Sequence, residues 1–321
     1  MNSVCEQLSI KYPIIQGGIG NISHAALTAA VSEAGGLGTI GCGTMKPAQV
    51  EAIILETKVK TEQPFAINIP ITVNPFVDQL IELAIKHRIP VVSLSAGNPA
   101  PLIPLLHEHG IKVIAVVASV KHAQKAEAAG ADLLVAEGYE AAGINSSLEL
   151  TTFTLIPQVA SVVSIPVVAA GGIGDGKGLA AAFMLGASGV QMGTRFIATK
   201  EAQLHDKYKE KIIEANGIDT RIVGRSVGRV RRVLQSGYVE KIIQAEREGL
   251  SLEEFNEMTS EDYHIKGAVL GDFNNGYLNS GQVAGLIQTI PSVQELIESM
   301  MNEAEGQMEL VSESFKKSVR F

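Results

Sequence analysis

The 321-residue chain sets 26 Lys and Arg against 34 Asp and Glu, a formal charge of −8, and contains 32 Gly, 2 Cys and no Trp. This acidic balance argues against a general nucleic-acid binder and against attraction to an anionic membrane surface. Two cysteines, Cys5 and Cys42, cannot build a disulfide scaffold, and with 46% hydrophobic residues a large core is available, so a cytoplasmic globular protein is expected. The first residues carry no basic stretch leading into an apolar one, and no uncharged apolar run approaches the roughly 20 residues of a membrane helix.

Eight short apolar runs follow one another: Pro13–Gln16, Leu37–Gly41, Phe65–Ile69, Val91–Ser95, Lys112–Val117, Asp132–Ala136, Pro166–Ala170 and Gly189–Met192. Each is too short for a helix and too continuously apolar for a half-exposed strand, which is the pattern of a parallel strand buried on both faces. Segments with helical spacing lie between them: Ser23–Ala34, Pro47–Lys60, Pro75–His87, Val120–Ala129 and Thr151–Val163. Strand starts are about 25 residues apart, the length of one βα unit. Eight strands in strict alternation predict a (β/α)8 TIM barrel, an α/β fold, rather than an open sheet. Beyond Thr194 the pattern stops. Residues 199–266 are charged and read as a helical insertion or lid, and Ser280–Glu303 reads as an amphipathic helix closing the barrel. The expected division is therefore a barrel of residues 1–198 and 267–321 with a lid of residues 199–266.

In such a barrel the site lies at the C-terminal ends of the strands. Glycines cluster there: Gly17–Gly18, Gly41, Gly43, Gly97, Gly138, Gly171–Gly172 and Gly193. Glycine permits positive φ and lets backbone N–H groups approach a ligand closely, so a broad, flat ligand across the mouth is expected. The loops after strands seven and eight form the usual phosphate site, which selects Gly171, Gly172, Gly193 and Thr194, with Arg195 as added charge or a structural ion-pair partner. GGIGDGK almost spells a P-loop, but Gly178 stands where a magnesium-binding hydroxyl belongs. No metal constellation appears, since His107 and His109 do not share a helical face. Nothing near Cys42 lowers a thiol pKa, so it reads as packed rather than nucleophilic. Five arginines, Arg221, Arg225, Arg229, Arg231 and Arg232, form a local basic stretch that either steers an anionic substrate or ties the lid to an acidic surface.

PIIQGGIGNISHAALTAAVSEAGGLGTIG, AEGYEAAG, IPVVAAGGIGDGKGLAAAFMLGASGVQMGTRF, IVGRSVGRVRRVL and GDFNNGYLNSGQVAGLI together resemble one family. It comprises the nitronate monooxygenases (2-nitropropane dioxygenases) and the type II enoyl-acyl-carrier-protein reductases. The resemblance implies an FMN-binding barrel with a small helical lid. It places Gln16, Gly17, Gly18 and Asn68 along the flavin ring, Gly143 over it, and Gly171, Gly172, Gln191, Met192, Gly193 and Thr194 around the phosphate. One departure stands out. The family usually has a histidine after AEGYEAAG, and this chain has Ile144, which cannot exchange a proton or donate a hydrogen bond. Asn145, Ser146, His24 and Tyr139 are the neighbours able to take that role.

The resemblance implies an FMN-dependent oxidoreductase, linked to NADH or NADPH and reducing an enoyl thioester or quinone, with alkyl-nitronate oxidation by O2 as the alternative. A non-redox isomerase or lyase barrel, or a non-catalytic flavin-binding protein, would share parts of the pattern. The expected partners are a small-molecule or acyl-thioester substrate and a second copy of the chain.

Overall fold

The computed structural model describes residues 2–319. Six strands come first, β1 Ile14–Gln16, β2 Gly38–Gly41, β3 Phe65–Pro70, β4 Val91–Ser95, β5 Lys112–Val117 and β6 Leu133–Glu137. They are followed by β7 Gly143–Ile144, β8 Val167–Ala170, β9 Gly189–Met192, β10 Thr220–Val223, β11 Arg231–Leu234 and β12 Leu278–Asn279. All the barrel strands are parallel, in the order β1-β9-β8-β6-β5-β4-β3-β2. A parallel bridge between Ile15 and Leu37 joins the two ends, so the sheet closes on itself. The eight strands fall where the apolar runs predict them.

The continuous apolar runs have a simple cause. Successive side chains point to opposite faces of a strand, and here both faces are buried. Ile15, Ala66, Val91, Ile114, Leu133, Val135 and Val168 fill the barrel interior. Ile14, Ile67, Val92, Val113, Leu134 and Val167 pack outward under the helices. A short helix at Ser3–Leu8, unexpected from the sequence, adds Val4, Cys5 and Leu8 to the interior cluster. Asn2 caps it and donates from Nδ2 to the Ser188 carbonyl, 2.8 Å away, at the start of β9. The end of the barrel opposite the strand C-termini is thereby plugged.

Two expectations change. Residues 199–266 are not helical throughout. Helices at Asp206–Glu214, Gly237–Arg247, Leu252–Met258 and Glu261–Ala268 flank an antiparallel hairpin of β10 and β11. The turn relies on Gly224 (φ 82°) and Gly228 (φ 68°), and a Cβ on Gly224 would lie 2.0 Å from the Arg229 carbonyl oxygen. Tight positive-φ turns of this kind stop a helix, and the β-branched residues on either side favour strands. The hairpin, β12 and β7 form a second small sheet, with its own core of Val223, Val233, Tyr238, Val239, Phe255 and Tyr277.

The closing helix does not start at Ser280. Gln282–Leu286 is a short 3-10 turn, and the long helix runs Val293–Val319. Pro291 cannot continue a helix, and Ser292 with Glu295 forms the reciprocal N-terminal cap: Ser292 N donates to Glu295 (2.7 Å) and Glu295 N donates to Ser292 Oγ (3.2 Å).

Candidate functional site

A cavity of about 990 Å3 opens at the C-terminal ends of the strands. Gly17, Gly18, Asn68, Gly143, Gly171, Gly172, Gln191, Met192, Gly193 and Thr194 all line it. Gln16 does not. It is 1% exposed, and its amide donates to the Gly17 and Thr39 carbonyls (3.0 and 2.9 Å) and accepts from Thr39 N (3.2 Å), stitching β1 to β2.

Close packing explains part of the glycine rim. A Cβ on Gly18 would sit 2.9 Å from both Asn68 Cβ and Gly41 Cα. Asn68 is fixed in turn, donating from Nδ2 to Ser93 Oγ (3.1 Å) and Ser95 Oγ (3.2 Å). On the opposite wall Gly171 (φ 97°) and Gly172 (φ 76°) hold backbone conformations that side chains disfavour. Among the described residues no acceptor meets the backbone N–H groups of Gly172, Ile173 or Gly193, all of which line the cavity. Several unspent N–H groups on one wall form an anion cradle. The Thr194 hydroxyl accepts from Gly281 N at 3.0 Å, which keeps its O–H free to donate. Arg195 is 4% exposed and donates to the Ala198 and Thr289 carbonyls, while burial pulls its guanidinium down to about 10. It is a structural residue.

The candidates for the histidine's role separate. Ile144 stands at the cavity and is 47% exposed. Asn145 and Ser146 also line it, but Asn145 Nδ2 donates to the Ala141 and Gly143 carbonyls (2.9 and 3.2 Å), and Ser146 Oγ accepts from Leu148 N. Tyr139 OH accepts from Arg225 at 2.6 Å. His24 is not brought to the cavity. It precedes the helix Ala25–Glu33 and accepts from Gln203 N at Nε2 (2.9 Å), and burial lowers its pKa to about 4.

The arginine stretch divides as well. Arg225 pairs with Glu149 at 2.8 Å, and Arg232, 4% exposed, donates to the Tyr139 carbonyl and to Thr220 Oγ1. Both clamp the loop after β6 to the hairpin. Arg231 alone of the five lines the cavity, and it donates to Tyr277 OH at 2.6 Å. The near-P-loop is closed off: Asp175 and Glu303 accept the N–H groups of Gly178 and Gly176 (2.8 Å each), leaving no phosphate seat at that helix. Cys42 is fully buried, and burial pushes its thiol up, away from nucleophilic chemistry. No cluster of three metal-ligating side chains occurs among the described residues, and no helix among them is long and apolar enough to cross a membrane.

Sequence reasoning missed four cavity groups. Glu137, the last residue of β6, is pushed up to about 7 by burial. Its place at a strand C-terminus was the available signal. Glu261 and His264 come from the lid helix Glu261–Ala268 and Asn279 from β12 beyond it, and the pairing of β12 with β11 brings Asn279 beside them. No local motif marks them.

Residues 2–303 match the nitronate monooxygenase family. The chain is 33% identical to a Mycobacterium tuberculosis protein named (3aS,4S,5R,7aS)-5-hydroxy-7a-methyl-1-oxo-octahydro-1H-indene-4-carboxyl-CoA dehydrogenase, covering 93% of this chain and 94% of the relative. A probable nitronate monooxygenase of Staphylococcus aureus is 32% identical over 91% of this chain and 94% of its own. Among solved structures, FabK of Thermotoga maritima superposes with a TM-score of 0.92 at 43% identity, covering 98% of this chain and 99% of that one. Nitroalkane oxidase of Streptomyces ansochromogenes gives 0.85 at 25% identity over 96% and 99%. With a closed barrel, a glycine-lined mouth and these near full-length likenesses, the chain belongs to the nitronate monooxygenase family and is an FMN-dependent oxidoreductase.

Proposed function

We propose that this oxidoreductase takes hydride from NADH or NADPH and reduces an enoyl thioester. The observation that carries this reading is the likeness to FabK of T. maritima, 43% identical over 98% of this chain, while Ile144, apolar at the cavity, leans against ordinary nitronate oxidation. Two relatives support it. The T. maritima FabK likeness has the highest identity of those described, and the M. tuberculosis relative is named for a CoA thioester.

The cavity residues fit an FMN. Gly17 and Gly18, without side chains, leave an open face beside Asn68 that would take the ring, and Gly143, Gln191 and Met192 line the same cavity and would help hold the group. The unspent N–H groups of Gly172, Ile173 and Gly193 suit the phosphate, with Gly171 setting the turn. Bound there, FMN supplies the acceptance and delivery of hydride. The chain's own part is to position, cover and partner the reactants. Residues 199–266 act as the lid, its hairpin pinned to the β6 loop by Arg225 and Arg232. Glu137, with its carboxyl near neutrality, can hold or release a proton within the cavity. A homodimer belongs to the same proposal, and light scattering checks it.

Anaerobic mixing of the yellow protein with NADH, NADPH and alkyl nitronates tests the reading. Bleaching by a pyridine nucleotide, followed by reoxidation with an enoyl thioester, is expected. Bleaching by nitronates alone, with turnover in oxygen, would establish the nitronate monooxygenase reading instead. A colourless protein that cannot be reconstituted with FMN would overturn both.

A further inference from the structure

The cavity contains one buried acceptor with nothing to accept. Asn279 Oδ1 is enclosed and has no hydrogen-bond partner among the described residues. Buried polar atoms are nearly always paired, and an exception in a ligand cavity points to a partner supplied by the ligand. Its surroundings fix which end of the amide it is. Asn279 Nδ2 lies 3.4 Å from His264 Nε2, and His264 Nδ1 lies 3.3 Å from Glu261 Oε2. Burial alone would push the Glu261 carboxyl up, but the His264 hydrogen bond, the Arg231 charge and the Asn21 N–H hold it below the usual range. Glu261 is therefore an acceptor and Nδ1 donates to it, which in the neutral imidazole leaves Nε2 with its lone pair. Only the NH2 end of the Asn279 amide can face that lone pair. The oxygen is left as the free end.

The imidazole itself is held. It is 2% exposed and stacks on Tyr277, ring centroids 5.2 Å apart at 14°. Tyr208 OH donates to the Asn279 carbonyl, fixing the backbone as well. The amide also stands next to the departure at position 144. β11 pairs with β7 through Arg231↔Ile144 and with β12 through Val233↔Asn279. A Cβ on Gly143 would meet Asn279 Oδ1 at 3.7 Å, so Gly143 leaves the amide room beside it.

We propose that Asn279 is a specificity residue whose Oδ1 accepts a hydrogen bond from an N–H or O–H donor on the substrate, with His264 and Glu261 as the positioning residues that orient its amide. This deepens the thioester reading and rests on it. Two substrate features carry such a donor: the amide groups of a pantetheine arm, and a hydroxyl on the acyl chain. A nitronate carries none.

Three probes titrated into the FMN-loaded protein, followed by flavin absorbance, separate these cases. Crotonyl-CoA offers amide donors from its arm, S-ethyl 3-hydroxythiobutyrate a chain hydroxyl, and S-ethyl thiocrotonate neither. Asn279→Ala is expected to weaken binding of one of the two donor probes about tenfold, the equivalent of about 1.4 kcal/mol for one hydrogen bond, and which one identifies the donor. S-ethyl thiocrotonate binding should stay within twofold. His264→Ala should weaken the same probe by releasing the amide, and His264→Gln, whose oxygen can accept from Asn279 Nδ2, should restore most of the loss. That rescue is not expected of a merely structural histidine. A change under twofold for both donor probes in Asn279→Ala, an equal loss for S-ethyl thiocrotonate, or a wild type that binds neither donor probe overturns the proposal. Flavin reduction by NADH or NADPH is read separately. If the wild type is not reduced, the reductase reading fails while the binding comparison still decides the role of Asn279.

Discussion

Replacing Gly171 and Gly172 with alanine, one at a time, separates two costs that the cradle holds together. Both positions have positive φ, 97° and 76°, and an alanine there costs about 1–2 kcal/mol in backbone strain. Their surroundings differ. At Gly172 the new Cβ would meet Glu140 Cβ at 3.4 Å, an ordinary contact. At Gly171 it would meet the Gly138 carbonyl oxygen at 2.9 Å and Ala141 N at 3.1 Å, both backbone atoms that cannot step aside cheaply. Overpacking of that kind adds about 1–3 kcal/mol. At about 2.1 cal/mol/K per residue, the 321-residue chain has an unfolding entropy of about 0.7 kcal/mol/K. Gly172→Ala should therefore lower Tm by about 1.5–3 °C, and Gly171→Ala by a further 1.5–4 °C or so. Differential scanning calorimetry of the FMN-free proteins gives the comparison, and FMN content of the purified proteins gives the second readout, since both substitutions disturb the N–H cradle. Equal Tm values for the two variants, or full FMN retention by both, would refute the reasoning.

Four further outcomes follow from the site. Burial raises the Glu137 carboxyl from 4.5 to about 7, so the folded state holds its proton more tightly than the unfolded chain, and the associated stability is full below about pH 4.5 and lost as pH rises through 7. Glu137→Gln should thus gain thermal stability relative to wild type between pH 5 and pH 8, and a flat difference across that range contradicts the buried carboxyl. Arg225→Ala removes an exposed pair with Glu149 and should cost under about 1 kcal/mol with KM unchanged, whereas Arg231→Ala, at the cavity, should raise KM for an anionic thioester and flatten its salt dependence. Steady-state assays over a salt series distinguish the two. Ile144→His, placed on a half-exposed rim position, should raise turnover of alkyl nitronates by about a hundredfold, the lower range for a positioned acid–base group, with the fold and FMN content unchanged.

How far the sequence could be read depended on whether the signal was local. Barrel strands report themselves because burial on both faces makes each run wholly apolar: Ile14 and Ile15, or Val167 and Val168, face opposite sides and neither side is wet. The glycine rim was equally legible, since position after a strand is enough to place Gly171 or Gly193 at the mouth. Gln16 shows the limit of the same logic. It ends a strand as the others do, yet its amide is spent between β1 and β2. The hairpin of β10 and β11 was masked by charge, although Gly224 and Gly228 between β-branched residues carried the signal for a turn. The start of the last helix was masked by amphipathic spacing that runs across Pro291.

The polar groups over the mouth were illegible for a different reason. Glu261 and His264 share a helix, but Asn279 meets them only after β12 has paired with β11, and β11 has in turn captured β7 with Ile144. A substitution at position 144 therefore cannot be judged from its sequence neighbours. Asn145 and Ser146, the nearest in sequence, are tied to the loop's own backbone, Asn145 through Nδ2 and Ser146 as an acceptor at Oγ, as short polar side chains beside a turn tend to be. The buried unspent atom at the cavity belongs to Asn279 on β12, 135 positions beyond Ile144. Unspent backbone N–H groups of the barrel loops and the Asn279 amide thus face one cavity from different parts of the chain. Ile144 and Asn279 are joined by the register of a three-strand contact rather than by sequence.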